Sequence, residues 1–395
     1  MMKTVSVFGA TGSIGDSTLD VIARHPGRYR VHALTAHRNV DKLLTLALRH
    51  RPEVVVLSST EAAAGFEARL RAAGLSTRLG VGPDALVEVA ATAGIDCVMA
   101  AIVGAAGLAP TLMAARHART LLLANKESVV MAGRLFADTC RRSGVTLLPV
   151  DSEHNAIFQC LPDRSTRLDP RQVVRRLVLT ASGGPFRTWP IEQIEKATPA
   201  QACKHPNWSM GRKISVDSAT MLNKGLELIE AQVLFDMPPE RLDVLIHPQS
   251  IVHSMVEYQD GSVLAQMGNP DMRVPIAHAL AYPERIDSGV PPLDLARAGG
   301  LHFEEPDLAR FPCLGLAQQA MVAGGGAPCV LNAANEASVQ AFLDERIGFA
   351  DIARINEAVL AAAGSAPAPT SLAEAVELDT EARRLAADRI QRLRP

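Results

Sequence analysis

At 395 residues the chain exceeds what one hydrophobic core fills, which predicts two or three domains. Forty Lys and Arg against 42 Asp and Glu give a formal net charge of -2, which argues against a nucleic-acid binder, so a charged ligand must be met by a local cluster. Apolar residues at 48% exclude a disordered chain, and six cysteines without a C-x-x-C pair read as free thiols of a reducing, cytoplasmic compartment.

Met1-Met2-Lys3 leads at once into strand-like residues, so no secretory signal is expected. Apolar runs at 5–8, 31–34, 54–57, 97–103, 120–123 and 145–150 alternate with helical patterns, predicting a doubly wound, Rossmann-like α/β domain over residues 1–150. The uncharged stretch 97–115 is broken by Gly104, Gly107 and Pro110, so it reads as strand, turn and helix rather than a membrane span. The first strand enters Gly9-Ala-Thr-Gly12-Ser-Ile-Gly15, with a helix expected from about Asp16; such glycines let a pyrophosphate approach the backbone at a helix N-terminus. After the second strand, where NAD sites carry an acid, the chain has His37-Arg38-Asn39, and Arg38 suits a 2'-phosphate, so NADP is favoured.

Asp151-Ser152-Glu153-His154 follows the 145–150 run at the sheet edge where α/β proteins bind ligands. Extended geometry would put Asp151 and Glu153 on one side, as hard oxygen ligands for Mg²⁺ or Mn²⁺. Residues 151–282 predict a mixed catalytic domain, with strands at 176–180, 244–246 and 251–258 and a helix over 223–234. Ser182-Gly183-Gly184 reads as an anion-binding turn. Segment 203–213 has lid composition, with Trp208 and Met210 to exclude water and His205 to reach an oxyanion. Asn223, Glu227 and Glu230 share a helix face beside Lys224, and spacing leaves Asp217, Glu227 and Glu230 open as the third metal ligand. His247 and His253 read as core histidines. A Pro- and Gly-rich linker is expected over 283–312, then a helical domain over 313–395 with helices at 314–321, 333–343 and 352–363.

The segments GATGSIG (9–15), AAIVGAAGL (100–108), LLANKES (122–128), LLPVDSEHNAIFQ (147–159), SGGPF (182–186), HPNWSMGRKISVDSAT (205–220), NKGLE (223–227), LIHPQS (245–250) and LNAANE (331–336) run in order along nearly the whole chain. Together they resemble the 1-deoxy-D-xylulose 5-phosphate reductoisomerase family of the non-mevalonate isoprenoid pathway. The resemblance implies a cytoplasmic homodimeric enzyme that rearranges and then reduces 1-deoxy-D-xylulose 5-phosphate with NADPH, and that binds neither nucleic acid nor membrane. It implies that Thr11, Gly12, Ser13, Ile14, Arg38, Asn39, Asn125, Glu127 and Gly211 hold NADPH. Asp151, Glu153 and Glu227 would hold Mg²⁺ or Mn²⁺, with Co²⁺ a further candidate, which closes the choice that spacing leaves open. Lys126, Ser152, Ser182, His205, Trp208, Ser218, Asn223 and Lys224, with Glu153 and Glu227, would meet the phosphorylated sugar, Lys126 and His205 joining the metal ligands as catalytic residues. His37 stands where the family often has glycine. Two other readings compete: an NADP enzyme of this build with another phosphorylated or acidic hydroxy substrate, and an NADPH-sensing regulator, which would have no use for the three acids.

Overall fold

Short runs of Val, Ile and Leu, buried on both faces, favour parallel strands covered by helices. In the computed structural model, which describes residues 2–162, 168–208 and 210–393, they form a seven-stranded sheet in the order β4-β3-β2-β1-β5-β6-β7. These strands are β1 (Lys3–Phe8), β2 (Tyr29–Ala36), β3 (Val54–Leu57), β4 (Arg78–Val81), β5 (Cys97–Ala100), β6 (Thr120–Leu123) and β7 (Thr146–Pro149), and each adjacent pair is parallel. The order reverses at β1, so the loops after β1 and β5 open on one crevice, the usual ligand position of such sheets.

Two details depart from the sequence reading. The 97–103 run ends as a strand at Ala100, where the chain leaves the sheet with Val103 exposed and enters the 3-10 turn Ala105–Gly107 and the helix Leu108–His117. Strand β4 was not expected: it is an edge strand whose Arg78-Leu-Gly-Val81 carries no continuous apolar run.

The first compact unit comprises the described residues of Met1–Ser128, Phe136–Asn155 and Asp271–Pro291. The late segment is fixed by Lys3 Nζ donating to the Leu280 carbonyl (3.2 Å), by an Arg28–Glu284 pair (2.7 Å) and by Arg273, which reaches Asp20 (3.3 Å) and Asp271 (2.6 Å). The helix Arg273–Ala281 packs on the helix Ser13–Arg24. Periodicity shows that such a segment is helical but not which surface it covers, so this return is invisible in the sequence.

The second unit comprises the described residues of Val129–Leu135, Ala156–Pro270 and Pro292–Pro395. Its four-stranded sheet has the order β11-β10-β8-β9, from β8 (Val174–Ala181), β9 (Leu242–Ile246), β10 (Val252–Tyr258) and β11 (Val263–Met267). β8 and β9 are parallel, whereas β10 is antiparallel to β8 and β11. β11 was missed because Val263 and Leu264 are exposed on an edge, although Asp260-Gly261 before it, with Gly261 at φ +86°, is a hairpin signal. Helix Leu222–Phe235 packs on β9 and on helix Pro312–Ala323, and a Cβ at Gly225 would lie 2.3 Å from that of Ala317, so only glycine permits this crossing. Phe186 anchors the core, with Trp189 at 4.8 Å and Phe349 edge-on at 5.1 Å.

The expected C-terminal helices are present as Pro312–Ala323, Ala327–Leu343 and Phe349–Ala363. A further helix, Leu372–Arg392, lies within the expected helical domain but has no bounds in the sequence reading, because its buried stripe of Ala375, Ala382, Ala386 and Ile390 is mostly small residues in a charged sequence. Within 283–312 the chain forms a helical turn, Leu295–Ala298, and Glu304 exchanges two backbone hydrogen bonds with Ile246 (2.8 and 2.9 Å). Among the described residues no helix is long and apolar enough to cross a membrane. The six cysteines are free and five are buried; burial pushes the Cys97 thiol up to about 11, so it is inert packing.

Candidate active site

In the first unit, β1 ends at Gly9, whose φ of +81° and whose would-be Cβ, 2.4 Å from the Ala101 carbonyl oxygen, both demand glycine. Gly15 sits in the first turn of the helix Ser13–Arg24, where a Cβ would meet the Ala10 backbone at 2.5 Å. Gly12 is different: its φ is -85° and its nearest obstruction is 3.4 Å away, so the fold itself tolerates a methyl group there. It precedes the helix without a side-chain cap, and the first helical amides, starting at Ser13 and Ile14, have no partner within the helix. Bare backbone at a helix N-terminus suits a pyrophosphate.

Arg38 follows β2 with its side chain 67% exposed, 3.7 Å from Glu61, while His37 Nδ1 meets Ser58 Oγ at 2.9 Å. Asn39 caps the helix Val40–His50 by accepting the Lys42 N–H (3.1 Å), which leaves its NH₂ for a ligand. Lys42, not foreseen, donates to the Thr11 carbonyl (2.9 Å) and pairs with Asp16 (2.5 Å), adding a cation to the glycine loop. Asn125 caps the helix Lys126–Ser143 by accepting the Ser128 N–H (2.8 Å), and its NH₂ donates to Ile102 and Gly104, so it ties the loop after β5 to this helix.

Asp151 and Glu153 lie just past β7, as expected, but not in extended geometry. Ser152–Cys160 is a helix, and its start is fixed by the Asn155 N–H donating to the Asp151 carbonyl (2.8 Å) and by Asn155 Nδ2 donating to that of Pro149 (2.8 Å). Asp and Ser favour helix starts, which overrides the period-two reading. The two carboxylates thus sit at a positive helix terminus. Lys126 Nζ lies 2.6 Å from Asp151 Oδ2 with the ammonium largely buried, and Ser152 Oγ donates to Glu153 Oε2 (2.6 Å). Glu127 is buried beside Asn125.

In the second unit the Ser182 turn follows β8, with Gly183 at φ +81° and Gly184 at φ +67°. A Cβ at Gly184 would lie 2.6 Å from the Ser218 carbonyl, so this turn packs on the end of the helix Arg212–Ala219, bringing the Ser182 and Ser218 segments together. Ser182 Oγ is 3.0 Å from His205 Nε2. His205 Nδ1 accepts the N–H groups of Asn207 (3.2 Å) and Trp208 (2.9 Å), which fixes the proton on Nε2. Gly211 opens the Arg212–Ala219 helix with no heavy atom within 4 Å of its would-be Cβ. Ser209, inside the expected lid, lies outside the described residues.

Met221, buried at φ +60°, is a strained joint between that helix and Leu222–Phe235, which carries Asn223, Lys224 and Glu227. Both Asn223 Nδ2 and Lys224 Nζ donate to the buried Glu227 carboxylate. Asp217 is instead committed to structure: Lys213 pairs with it at 2.9 Å and Asn335 Nδ2 donates to it at 2.7 Å. Trp208 lies 6.5 Å from His253, and His247 stacks on Phe303 at 4.7 Å.

Burial holds His205, His253 and His278 down at about 4, so all three are neutral at physiological pH. Their unfolded-state pKa is higher, about 6.5. The unfolded chain therefore binds more protons between about pH 4 and 6.5, and stability falls as pH drops through that window. Calorimetry should show a melting temperature that declines on acidification from about pH 6.5, with a shallower decline for His278→Gln. Identical slopes for this variant and the parent would contradict neutral burial of His278.

Residues 5–133 match the family described as 1-deoxy-D-xylulose 5-phosphate reductoisomerase, residues 147–235 its C-terminal domain, and residues 267–385 the domain described as DXP reductoisomerase C-terminal. The chain is 60% identical over 388 residues to the 1-deoxy-D-xylulose 5-phosphate reductoisomerase of Burkholderia multivorans, covering 98% of this chain and 96% of that one. It is 61% identical over 383 residues to that of Cupriavidus metallidurans, covering 97% of each. A reductoisomerase crystallised with NADPH, fosmidomycin and magnesium is 50% identical, with a TM-score of 0.94 over 99% of this chain and 98% of that one. The Zymomonas mobilis reductoisomerase in complex with NADPH is 50% identical with a TM-score of 0.91, covering each chain fully.

Proposed function

The chain belongs to the 1-deoxy-D-xylulose 5-phosphate reductoisomerase family, and from that premise we propose a division of labour among its own residues. It is an NADPH- and divalent-metal-dependent oxidoreductase that converts 1-deoxy-D-xylulose 5-phosphate to 2-C-methyl-D-erythritol 4-phosphate by intramolecular rearrangement followed by hydride reduction. The observation that carries our reading of the site is the carboxylate pair Asp151 and Glu153 at a sheet edge and helix start, held beside Lys126 in the unit with the glycine loop.

Asp151 and Glu153, with Glu227, are the proposed metal ligands; three carboxylates are a donor set for Mg²⁺ or Mn²⁺. Asp217 and Glu227 each accept from two side chains already, so the choice of Glu227 as the third follows the family resemblance of the NKGLE segment. A metal bound there supplies Lewis-acid stabilisation of charge that develops on substrate oxygens. In the proposed roles, Ser182, Ser218, Asn223 and Lys224 bind the phosphate and hydroxyls, and Ser152 and Lys126 hold the substrate near the carboxylates. His205, fixed as an Nε2–H donor, offers a hydrogen bond without changing charge, and Trp208 covers the site. Fixing both ends of a small flexible sugar lowers the entropic part of the barrier. Thr11, Gly12, Ser13, Ile14, Arg38, Asn39, Asn125, Glu127 and Gly211 are the proposed NADPH contacts. The reading extends to the sequence divisions, with NADPH on 1–150, catalysis on 151–282 apart from residues 271–282, which return to the first unit, and helical support from 313–395. It also extends to a cytoplasmic homodimer, for which the exposed edge strand β11 offers a surface.

The assay is direct: protein, NADPH, Mn²⁺ and 1-deoxy-D-xylulose 5-phosphate, followed by absorbance of the reduced nicotinamide. Oxidation that stops on chelation supports the reading, and none with this substrate overturns it. A charge-assisted contact to the 2'-phosphate is worth about 1.5–3 kcal/mol, so Arg38→Ser should raise the Kd for NADPH roughly tenfold to a hundredfold while leaving that for NADH unchanged. Equal weakening of both cofactors would take Arg38 off the 2'-phosphate.

A further inference from the structure

Parallel β8 and β9 are neighbours, with Ala181 opposite Ile246, so the loops that follow them leave from the same sheet edge. One is the Ser182 turn. The other is His247-Pro248-Gln249-Ser250, within the LIHPQS segment to which the proposed function gives no task. This second loop is stitched to the first by the His247 N–H donating to the Ala181 carbonyl (2.7 Å). It is also braced internally: the Ser250 N–H donates to the His247 carbonyl (3.0 Å), His247 Nδ1 donates to the His302 carbonyl (2.8 Å), and Ser250 is held at φ +53°. The loop is therefore a stiff post beside the phosphate turn.

Asn207 spans the gap between the lid segment and this post. Its Nδ2 donates both hydrogens, one to the Pro248 carbonyl (2.8 Å) and one to Ser250 Oγ (2.7 Å). Its own N–H, with that of Trp208, closes on His205 Nδ1, and His205 Nε2 reaches Ser182 Oγ. We propose that Asn207 is a positioning residue, a latch that docks the lid segment on the His247–Ser250 post and so holds His205 over the phosphate turn and Trp208 closed. The inference rests on the reading of 203–213 as the lid of the substrate site. The geometry calls for an amide at this position: a carboxylate would oppose the Pro248 carbonyl, and a serine would be too short to reach both acceptors. Asn207 is exposed, so replacing it empties no core.

The test uses the full chain with NADPH and Mn²⁺. Asn207→Ala and Asn207→Asp should each lower kcat/KM for 1-deoxy-D-xylulose 5-phosphate about tenfold, or ~1.4 kcal/mol, mainly through KM and without a change in melting temperature. Trp208 should become more accessible to acrylamide quenching in both variants. Because Asn207 and Ser250 act through one latch, Asn207→Ala combined with Ser250→Ala should be no worse than Asn207→Ala alone. Unchanged quenching in Asn207→Ala, or additive losses in the double variant, would overturn the latch. Quenching needs no turnover, so a wild-type protein inactive on this substrate would sink the proposed function while leaving the latch to be judged by Trp208.

Discussion

Glu227→Gln is expected to cut metal-dependent turnover by at least about a thousandfold, since losing one anionic ligand of a Lewis acid costs several kcal/mol and each 1.36 kcal/mol is a factor of ten. Affinity for NADPH should stay nearly intact. The glutamine is chosen because Glu227 and Lys224 form a pair with side chains 1% and 4% exposed. Truncating one partner of such a pair leaves a buried charge uncompensated at a cost of about 3–5 kcal/mol; glutamine also removes the counter-charge but still accepts from the ammonium, so its stability loss should be smaller. Melting curves therefore separate lost chemistry from lost fold, and calorimetric titration with Mg²⁺ reads the ligand role itself. Full turnover at saturating Mg²⁺ would remove Glu227 from the ligand set.

The second large effect contrasts two glycines three residues apart. Gly12→Ala should leave the unliganded protein's melting temperature unchanged, because its Cβ meets nothing closer than 3.4 Å. It should nevertheless raise the Kd for NADPH about a hundredfold, about 2.7 kcal/mol, by standing a methyl group where the pyrophosphate must approach the backbone. Gly15→Ala should fail on both counts, since its Cβ would sit 2.5 Å from the Ala10 carbonyl oxygen and push the Ser13–Arg24 helix off β1. If Gly12→Ala binds NADPH normally, the cofactor does not pass over this turn.

This contrast also marks how far the sequence could be read. The glycine loop, the edge after β7 and the helix face of Asn223 and Glu227 are local patterns, in which chemistry and backbone geometry share one short segment. What lies beyond them depends on partners far along the chain. Asp217 is as plausible a ligand as Glu227 by spacing, and that its carboxylate is engaged by Lys213 and by Asn335, 118 residues away, is seen only in the fold. Strand β4 was missed and helix Leu372–Arg392 was expected only as part of a helical domain, because an edge strand and an alanine-lined helix bury too little large apolar surface to leave a periodic signature. At Asp151 the segment lies past β7 as expected but its backbone is not extended: helix-start preference, with Asn155 tying back to Pro149, outweighed continuation of the strand.

The return of residues 271–291 to the first unit bears on biosynthesis. The ribosome releases Gly9 to Gly15 early, yet the surface of the Ser13–Arg24 helix stays uncovered until the helix Arg273–Ala281 has emerged, and His25 must wait for the Asp287 carbonyl, 262 residues later. Domains usually mature N-terminus first during translation. Here the earliest strands cannot finish before most of the second unit has been made, so a nascent chain truncated ahead of residue 271 should be held by chaperones or degraded rather than accumulate as a free nucleotide-binding fragment.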